Sequence, residues 1–203
     1  MRPALLVVGF ALASAACQQR APVGPPPEDA GSPVVEAVEV QRSGVQTVPS
    51  PDGSASLVYG DVKNYARVWL AAGADTTDVV EAPVASRRLG VEWLAPDLGR
   101  VWVPFGNYTY AVVYAEPSSG RVSPWFDFAA AVDAEAETVL TFDPDAVTLR
   151  GLWSGDSLAA WVPEGVSIYD LRHGCEPSFT LAGRSAAMRY DCGDGVREQA
   201  VVL

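Results

Sequence analysis

The sequence is poor in the residues on which many enzymes and nucleic-acid-binding proteins depend. It contains one histidine, His173, and one lysine, Lys63, among 203 residues, and its formal net charge is -11 at pH 7. Because anionic phosphates repel so acidic a chain, nucleic-acid binding is not expected. Nucleophilic catalysis usually needs a histidine base, and no Gly-x-Ser-x-Gly, Walker or His-Glu-x-x-His motif occurs. The sequence therefore favours a non-catalytic protein that uses no metal or cofactor.

Long apolar runs are also scarce. The run at residues 4–13 follows Arg2 and ends before Ser14-Ala15-Ala16-Cys17. It has about half of the ~20 residues that a membrane-spanning helix needs. A positive start, an apolar centre and small residues at the end are the three parts of an export signal. Residues 1–16 are therefore predicted to be a removable leader.

The leader resembles the signal peptides of bacterial lipoproteins. The resemblance implies that Cys17 receives a diacylglycerol on its sulfur, becomes the new N-terminus and anchors the chain to a membrane. The residue after Cys17 is Gln18 and not an aspartate, which in this family implies that the anchored protein lies in the outer membrane. The family usually has leucine at the position of Ser14, so simple secretion after cleavage at Ala15 or Ala16, to the periplasm or beyond, is the alternative. Residues 17–44 are proline-rich and predict an extended tether.

Cysteines are few as well, since the chain has three. If Cys17 carries lipid, Cys175 and Cys192 remain as a pair, and export to an oxidising compartment predicts a disulfide between them. A loop of this length predicts about 3 kcal/mol of stabilisation. With His173 the two cysteines have no usual zinc spacing, and no Cys-x-x-Cys occurs.

Strand patterns dominate residues 45–203. Val101 and Val103 alternate with Trp102, and similar alternation around Val166 and Ile168 predicts another strand. One helix is predicted over residues 128–138, an alanine- and glutamate-rich segment that Asp127 would cap, with a loop as the alternative. The fold class is therefore predicted to be all-β and antiparallel.

A faint internal repeat runs through this all-β part. Pro-Asp occurs in Ser50-Pro51-Asp52-Gly53, Ala95-Pro96-Asp97 and Asp143-Pro144-Asp145. The copies are about 45 residues apart, and each follows a short apolar run and precedes two strand-like segments. Four strands per repeat is the arithmetic of a propeller blade. The repeats resemble those of TolB-type and WD40-like β-propellers, which implies propeller-like four-stranded repeats in a partial propeller. A two-layer β-sandwich is the alternative.

Aromatic residues near predicted turns give the best candidate binding surface. Tyr108, Tyr110, Trp125 and Phe126 are predicted to form an exposed patch of the kind that binds partner proteins or glycan rings. Most of the tryptophans lie in strand-like segments, where a place in the core is expected.

Acidic pairs offer a second kind of candidate site, for calcium. We expect them to be turn residues that bond their own backbone instead. They are Asp75 with Asp78, Asp143 with Asp145, and Asp191 with Asp194.

Together these features predict an envelope-anchored lipoprotein with a non-catalytic binding or scaffolding domain. Its expected partners are the membrane, through the lipid anchor, and an envelope protein or glycan. Two alternatives stay open. One is a hydrolase of envelope polymers that works through paired carboxylates, because spacing in sequence does not select a pair. The other is a structural subunit of an envelope complex, whose sheets are completed by other chains.

Overall fold

The computed structural model of the protein describes residues 44–106, 109–175, 177–183 and 185–202. The predicted leader, Cys17 and Tyr108 lie outside the described residues, as does the predicted tether except for Gly44. The described residues form antiparallel strands with one short α-helix, α1 (Ile168–His173), and one 3-10 turn. The all-β class is confirmed.

The strands form four sheets, and each sheet is built from a segment that is continuous in sequence. The first sheet contains β1 (Gln46–Pro49), β2 (Ala55–Val62), β3 (Tyr65–Ala72) and β4 (Asp75–Ala82). The second contains β5 (Gly90–Ala95), β6 (Leu98–Pro104), β7 (Tyr110–Glu116), β8 (Arg121–Val122) and β9 (Phe126–Asp127). The third contains β10 (Ala129–Asp133), β11 (Thr138–Phe142), β12 (Val147–Gly151) and β13 (Ser157–Trp161). The fourth contains β14 (Ser178–Ala182), β15 (Ser185–Asp191) and β16 (Val196–Val202).

The three Pro-Asp copies all occupy hairpin turns, which join β1 to β2, β5 to β6 and β11 to β12. The first two turns join the first and second strands of their sheets, whereas the third joins the second and third strands. In the first copy the Ser50 side chain is buried, and its Oγ accepts a bond from the Ala55 amide at 3.0 Å. The Asp52 carboxylate accepts from the Ser54 amide at 3.1 Å, while Gly53 adopts a φ of 73°. Because left-handed backbone favours glycine, the turn suits its sequence.

Three hydrophobic clusters join neighbouring sheets in chain order. The first lies between the first and second sheets and includes Leu57 and Val101. The second lies between the second and third sheets and includes Tyr114 and Val139. The third joins the third sheet to α1 and the fourth sheet. Both faces of the second and third sheets are therefore packed, an arrangement that fits a partial propeller or a sandwich.

The helix predicted over residues 128–138 is wrong. That segment forms β10 and the turn into β11. Phe128 and Glu137 both have a φ of 52°, which no α-helix tolerates. The Asp133 carboxylate accepts bonds from the amides of Ala136 at 3.0 Å and Gly183 at 2.8 Å. Local turn bonds and pairing with β11 therefore override the helix propensity of the alanines.

The strand predicted around Val166 and Ile168 is also wrong, because Ile168 begins α1. The Ser167 side chain accepts a bond from the Asp170 amide at 3.0 Å and lies 2.6 Å from the Asp170 carboxylate. This N-cap satisfies a free amide at the start of the helix.

The predicted disulfide between Cys175 and Cys192 is confirmed. Cys175 follows α1 and Cys192 follows β15, so the bond ties the helix to the fourth sheet. β14 and β15 pair with each other as an antiparallel hairpin.

Candidate functional site

Large aromatic side chains are exposed around one end of the second sheet. Trp102 is 37% exposed, Phe105 49% and Trp125 42%. Trp102 lies on β6, where the neighbouring valines face the first sheet and the tryptophan faces the opposite way. Phe105 follows the same strand, and its ring centroid lies 5.8 Å from that of Trp125, in the segment between β8 and β9. Solvent-exposed rings that contact each other form a surface suited to a ring-containing partner.

The structure changes the predicted patch. Trp125 is exposed, but Phe126 is buried in the core, where its ring packs against that of Tyr114 at 6.2 Å. The prediction that Phe126 belongs to an exposed patch is therefore wrong, because β9 turns this side chain toward the third sheet. Burial also raises the pKa of Tyr114 to about 12, with smaller contributions from charges nearby. Tyr108 lies outside the described residues.

Tyr110 lines a cleft of about 290 Å³, here called the aromatic cleft. Its walls come from β6, β7, the corner before β10, and α1. The ring centroids of Trp102 and Tyr110 are 5.6 Å apart, and those of Tyr110 and Phe128 are 5.3 Å apart. The Tyr110 hydroxyl donates to the Ala129 carbonyl at 3.3 Å, and burial raises the pKa of this phenol. The aromatic cleft thus has a continuous aromatic wall.

Phe128 holds the corner of this cleft in an unusual backbone conformation. A φ of 52° is rare for a bulky residue, and such conformations concentrate at functional sites. The Phe128 amide donates to the Tyr110 carbonyl at 3.2 Å, and the Phe142 amide donates to the Phe128 carbonyl at 3.2 Å. These bonds fix the turn from the second sheet to the third. They also fix the direction in which the Phe128 ring enters the cleft.

Arg172, on α1, supplies the cationic group of the aromatic cleft. Its guanidinium carbon lies 4.2 Å from the Phe128 ring centroid, and its Nη2 donates to the Phe142 carbonyl. Burial lowers the pKa of Arg172, and the negative charges of Asp143 and Asp127 raise it in part. A guanidinium over an aromatic ring is a cation–π pair.

A second, smaller cleft of about 190 Å³ lies beside Trp125. Asp143 accepts a bond from Arg150 at 2.6 Å and another from the Thr148 hydroxyl at 2.8 Å. Arg150 also donates to the Gly155 carbonyl at 3.2 Å. Because this carboxylate already has two donors, its first role is to hold the turn between β11 and β12.

The other candidate acids have similar local partners. Asp191 accepts from the Gly193 amide at 2.8 Å, and Asp194 pairs with Arg197. Asp78 lies 4.0 Å from Arg67. In the part of the chain that the structure describes, no three His, Cys, Asp or Glu side chains converge as a metal site would require. His173 is exposed, and its ring lies 4.6 Å from that of Tyr169.

Sequence patterns predict this site only in part. The alternation of Val101, Trp102 and Val103 puts the tryptophan on a different face from the valines, which could have indicated its exposure. Phe105 and Phe128 carry no comparable signal. The sequence does not indicate Arg172 as a site residue, because the alternation around Val166 and Ile168 predicts a strand where α1 begins.

The chain matches no protein-family model, no curated protein and no solved structure. Among residues 44–202, gaps at 107–108, 176 and 184 aside, no helix has the length and apolar character needed to cross a membrane. The fold and the site therefore define the class of the protein: an all-β protein of four antiparallel sheets with an aromatic cleft.

Proposed function

We propose that this protein is an envelope-anchored lipoprotein whose all-β part binds a ring-containing partner at its aromatic surface. The observation that carries the binding proposal is the continuous set of rings formed by Trp102, Tyr110 and Phe128, with a cation at its end. Binding pockets combine apolar walls with a few polar groups, as this cleft does. Exposed rings at Phe105 and Trp125 extend the surface beyond the cleft.

The anchoring part of the proposal depends on the leader and on Cys17. The disulfide between Cys175 and Cys192 is compatible with an oxidising compartment and does not decide the location. Mass spectrometry of the protein expressed in a lipoprotein-processing bacterium tests it. We expect an N-terminus at Cys17 with a diacylglycerol mass, and a Cys17→Ala variant without that mass. Recovery of intact Met1, or of unmodified ends after Ala15 or Ala16, contradicts the anchor.

A glycan array that contains neutral and acidic envelope polysaccharides tests the binding proposal. We expect the purified protein to bind at least one class of glycan. Trp102→Ala is expected to weaken that binding by about 1 kcal/mol, the usual contribution of one aromatic contact. Tyr65→Ala is the matched control, because Tyr65 is 45% exposed on the first sheet and lines neither cleft. No binding to the array, or equal losses in the two variants, contradicts the proposal.

One observation favours the structural-subunit alternative. Small apolar side chains line a shallow groove of about 260 Å³ on the outward face of the fourth sheet, including Ala187 and Ala200. In the described residues no hydrophobic cluster covers this face. Light scattering tests self-assembly: a mass above that of one chain supports it, and a monomer at high concentration counts against it.

A further inference from the structure

Arg172 has bonding capacity that its neighbours do not use. Its Nε is buried and has no hydrogen-bond partner among the described residues. Among the same residues, no carboxylate oxygen lies within 4.0 Å of the Arg172 guanidinium nitrogens, the limit for an ion pair. Arg172 as a whole is half-buried and lines the aromatic cleft, and guanidinium geometry matches a carboxylate at two points. A half-buried cation that lines the aromatic cleft, with no carboxylate of the described residues paired to it, therefore points to an anionic group of a ligand.

The neighbouring acids restrict the charge of that group. Asp127 and Asp143 lie near enough to affect Arg172 electrostatically. They would repel a dianionic phosphate more strongly than a singly charged carboxylate. Asp143 itself is held by Arg150 and Thr148, so it is not free to move onto Arg172. A monoanion fits this setting better than a dianion.

The dimensions of the aromatic cleft restrict the rest of the ligand. Its volume of about 290 Å³ lies just below the usual range for ligand pockets, which begins at about 300 Å³. The wall next to Arg172 consists of ring faces and edges from Phe128, Tyr110 and Trp102, in that order. Such a space fits one six-membered ring that packs against the aromatic wall.

We propose that the aromatic cleft binds a six-membered ring that bears a carboxylate, with the carboxylate on Arg172 and the ring against Tyr110 and Trp102. This inference rests on the proposed binding function and names its ligand class. A sugar acid and an aromatic acid share this chemistry. The alternating polar and C–H surface of a sugar acid and the flat face of an aromatic acid can both pack on a tryptophan.

Calorimetric titration of the purified protein with three probes tests the proposal. The probes are galacturonic acid, its methyl ester and 4-hydroxybenzoate. The ester keeps the ring and removes the charge. We expect at least one acid to bind. If galacturonic acid is that acid, we expect it to bind about 10- to 100-fold more tightly than its ester, the factor for hydrogen bonds to a charged group. The acid that binds identifies the source of the ring.

Variants separate this proposal from the binding function itself. Arg172→Gln is expected to weaken binding of the acid about 10- to 100-fold and to leave any binding of the ester unchanged. Arg189→Gln, on the exposed face of β15, is the matched control and is expected to change neither. Trp102→Ala is expected to weaken acid and ester alike, because both would pack on its ring.

Two outcomes with the wild-type protein overturn the proposal. Equal affinity of the wild-type protein for galacturonic acid and its ester does so, and so does the absence of binding by both acids. If Trp102→Ala weakens ester binding while Arg172→Gln leaves acid binding unchanged, the binding function stands and the carboxylate site falls. Circular dichroism checks that Arg172→Gln is folded. If it is not, the ratio of acid to ester affinity in the wild-type protein decides the question alone.

Discussion

The Ser50 side chain takes part in several hydrogen bonds of the first Pro-Asp turn. Its Oγ lies 2.7 Å from the Asp52 carboxylate and 3.1 Å from the Ala55 carbonyl, and it accepts from the Ala55 amide at 3.0 Å. The hydrogen bonds of Ser50 and Ser54 hold the pKa of Asp52 below its ordinary value. The later copies of the turn carry alanine or aspartate in place of Ser50. The full network therefore belongs to the first turn.

We expect Ser50→Ala to lower the free energy of unfolding by about 1–2 kcal/mol, because it leaves the buried Ala55 amide without its side-chain acceptor. Urea denaturation measures this change. Ser54→Ala is the control: the Ser54 hydroxyl is exposed and bonds the same carboxylate at 2.9 Å. A change within about 0.5 kcal/mol is expected there. Equal losses in the two variants would show that burial of the Ser50 bonds is unimportant.

Arg121 links three elements at the residue scale. It pairs with Glu116 at 2.8 Å and Glu137 at 2.7 Å, and its guanidinium carbon lies 4.5 Å from the Trp153 ring centroid. The hydrogen bond from Arg121 is the largest cause that holds the pKa of Glu116 below its ordinary value of 4.5. Glu116 is the more buried partner, with 17% of its side chain exposed.

Arg121→Gln is therefore expected to lower the free energy of unfolding at neutral pH, because Glu116 loses its cationic partner. The lowered folded-state pKa of Glu116 fixes the sign of the pH effect. Its stabilisation is complete above the unfolded pKa and is lost as the pH falls through the folded value. Denaturation at pH 7 and pH 3 is expected to show the difference between wild type and variant shrink in acid. Arg87→Gln, at an exposed site, is the control; a difference that grows in acid would contradict the assignment.

At the scale of elements, the sequence predicted strands better than helices. Period-two alternation and Pro-Asp turns placed β2, β6 and β12 close to their observed positions. The strand prediction for the segment that forms α1 is wrong because six residues are too few for helical periodicity to outweigh an apparent alternation. Its N-cap is visible only once Ser167 and Asp170 are considered as a pair.

The candidate site could be predicted only in part, for a related reason. Exposure of Trp125 follows from its place near a turn, but its contact with Phe105 depends on how two distant segments meet. Arg172 reaches the aromatic cleft only because α1 packs against the third sheet. Such long-range placement leaves no periodic trace in the sequence.

The disulfide is the strongest constraint on α1 and the fourth sheet. We expect Cys175→Ala combined with Cys192→Ala to lower the free energy of unfolding by about 3 kcal/mol. The cysteines are 17 residues apart in sequence, and without the bond the unfolded chain regains the entropy that this closed loop removes. Urea denaturation with and without reductant measures the loss. Reductant is expected to destabilise the wild-type protein and to have no effect on the double variant. An unchanged wild-type midpoint in reductant would contradict a stabilising role.

For the whole molecule, the four sheets differ in how completely they are packed. Strands of the second and third sheets contact a hydrophobic cluster on each face. The central residues of β7 and every residue of β11 are buried. β16 is an edge strand, and its residues 196–198 are exposed. Burial on both sides predicts that the middle sheets open only when the whole protein unfolds.

Amide hydrogen exchange measures this hierarchy directly. The amides of β7 and β11 are expected to exchange most slowly, at rates set by global unfolding, because water reaches them only after two hydrophobic clusters separate. The amides of β16 are expected to exchange faster through local opening of the sheet edge. In the double cysteine variant, β15 and β16 are expected to lose further protection, while β7 and β11 change only by the loss of global stability. Uniform exchange across all four sheets would show instead that the terminal sheets unfold together with the centre.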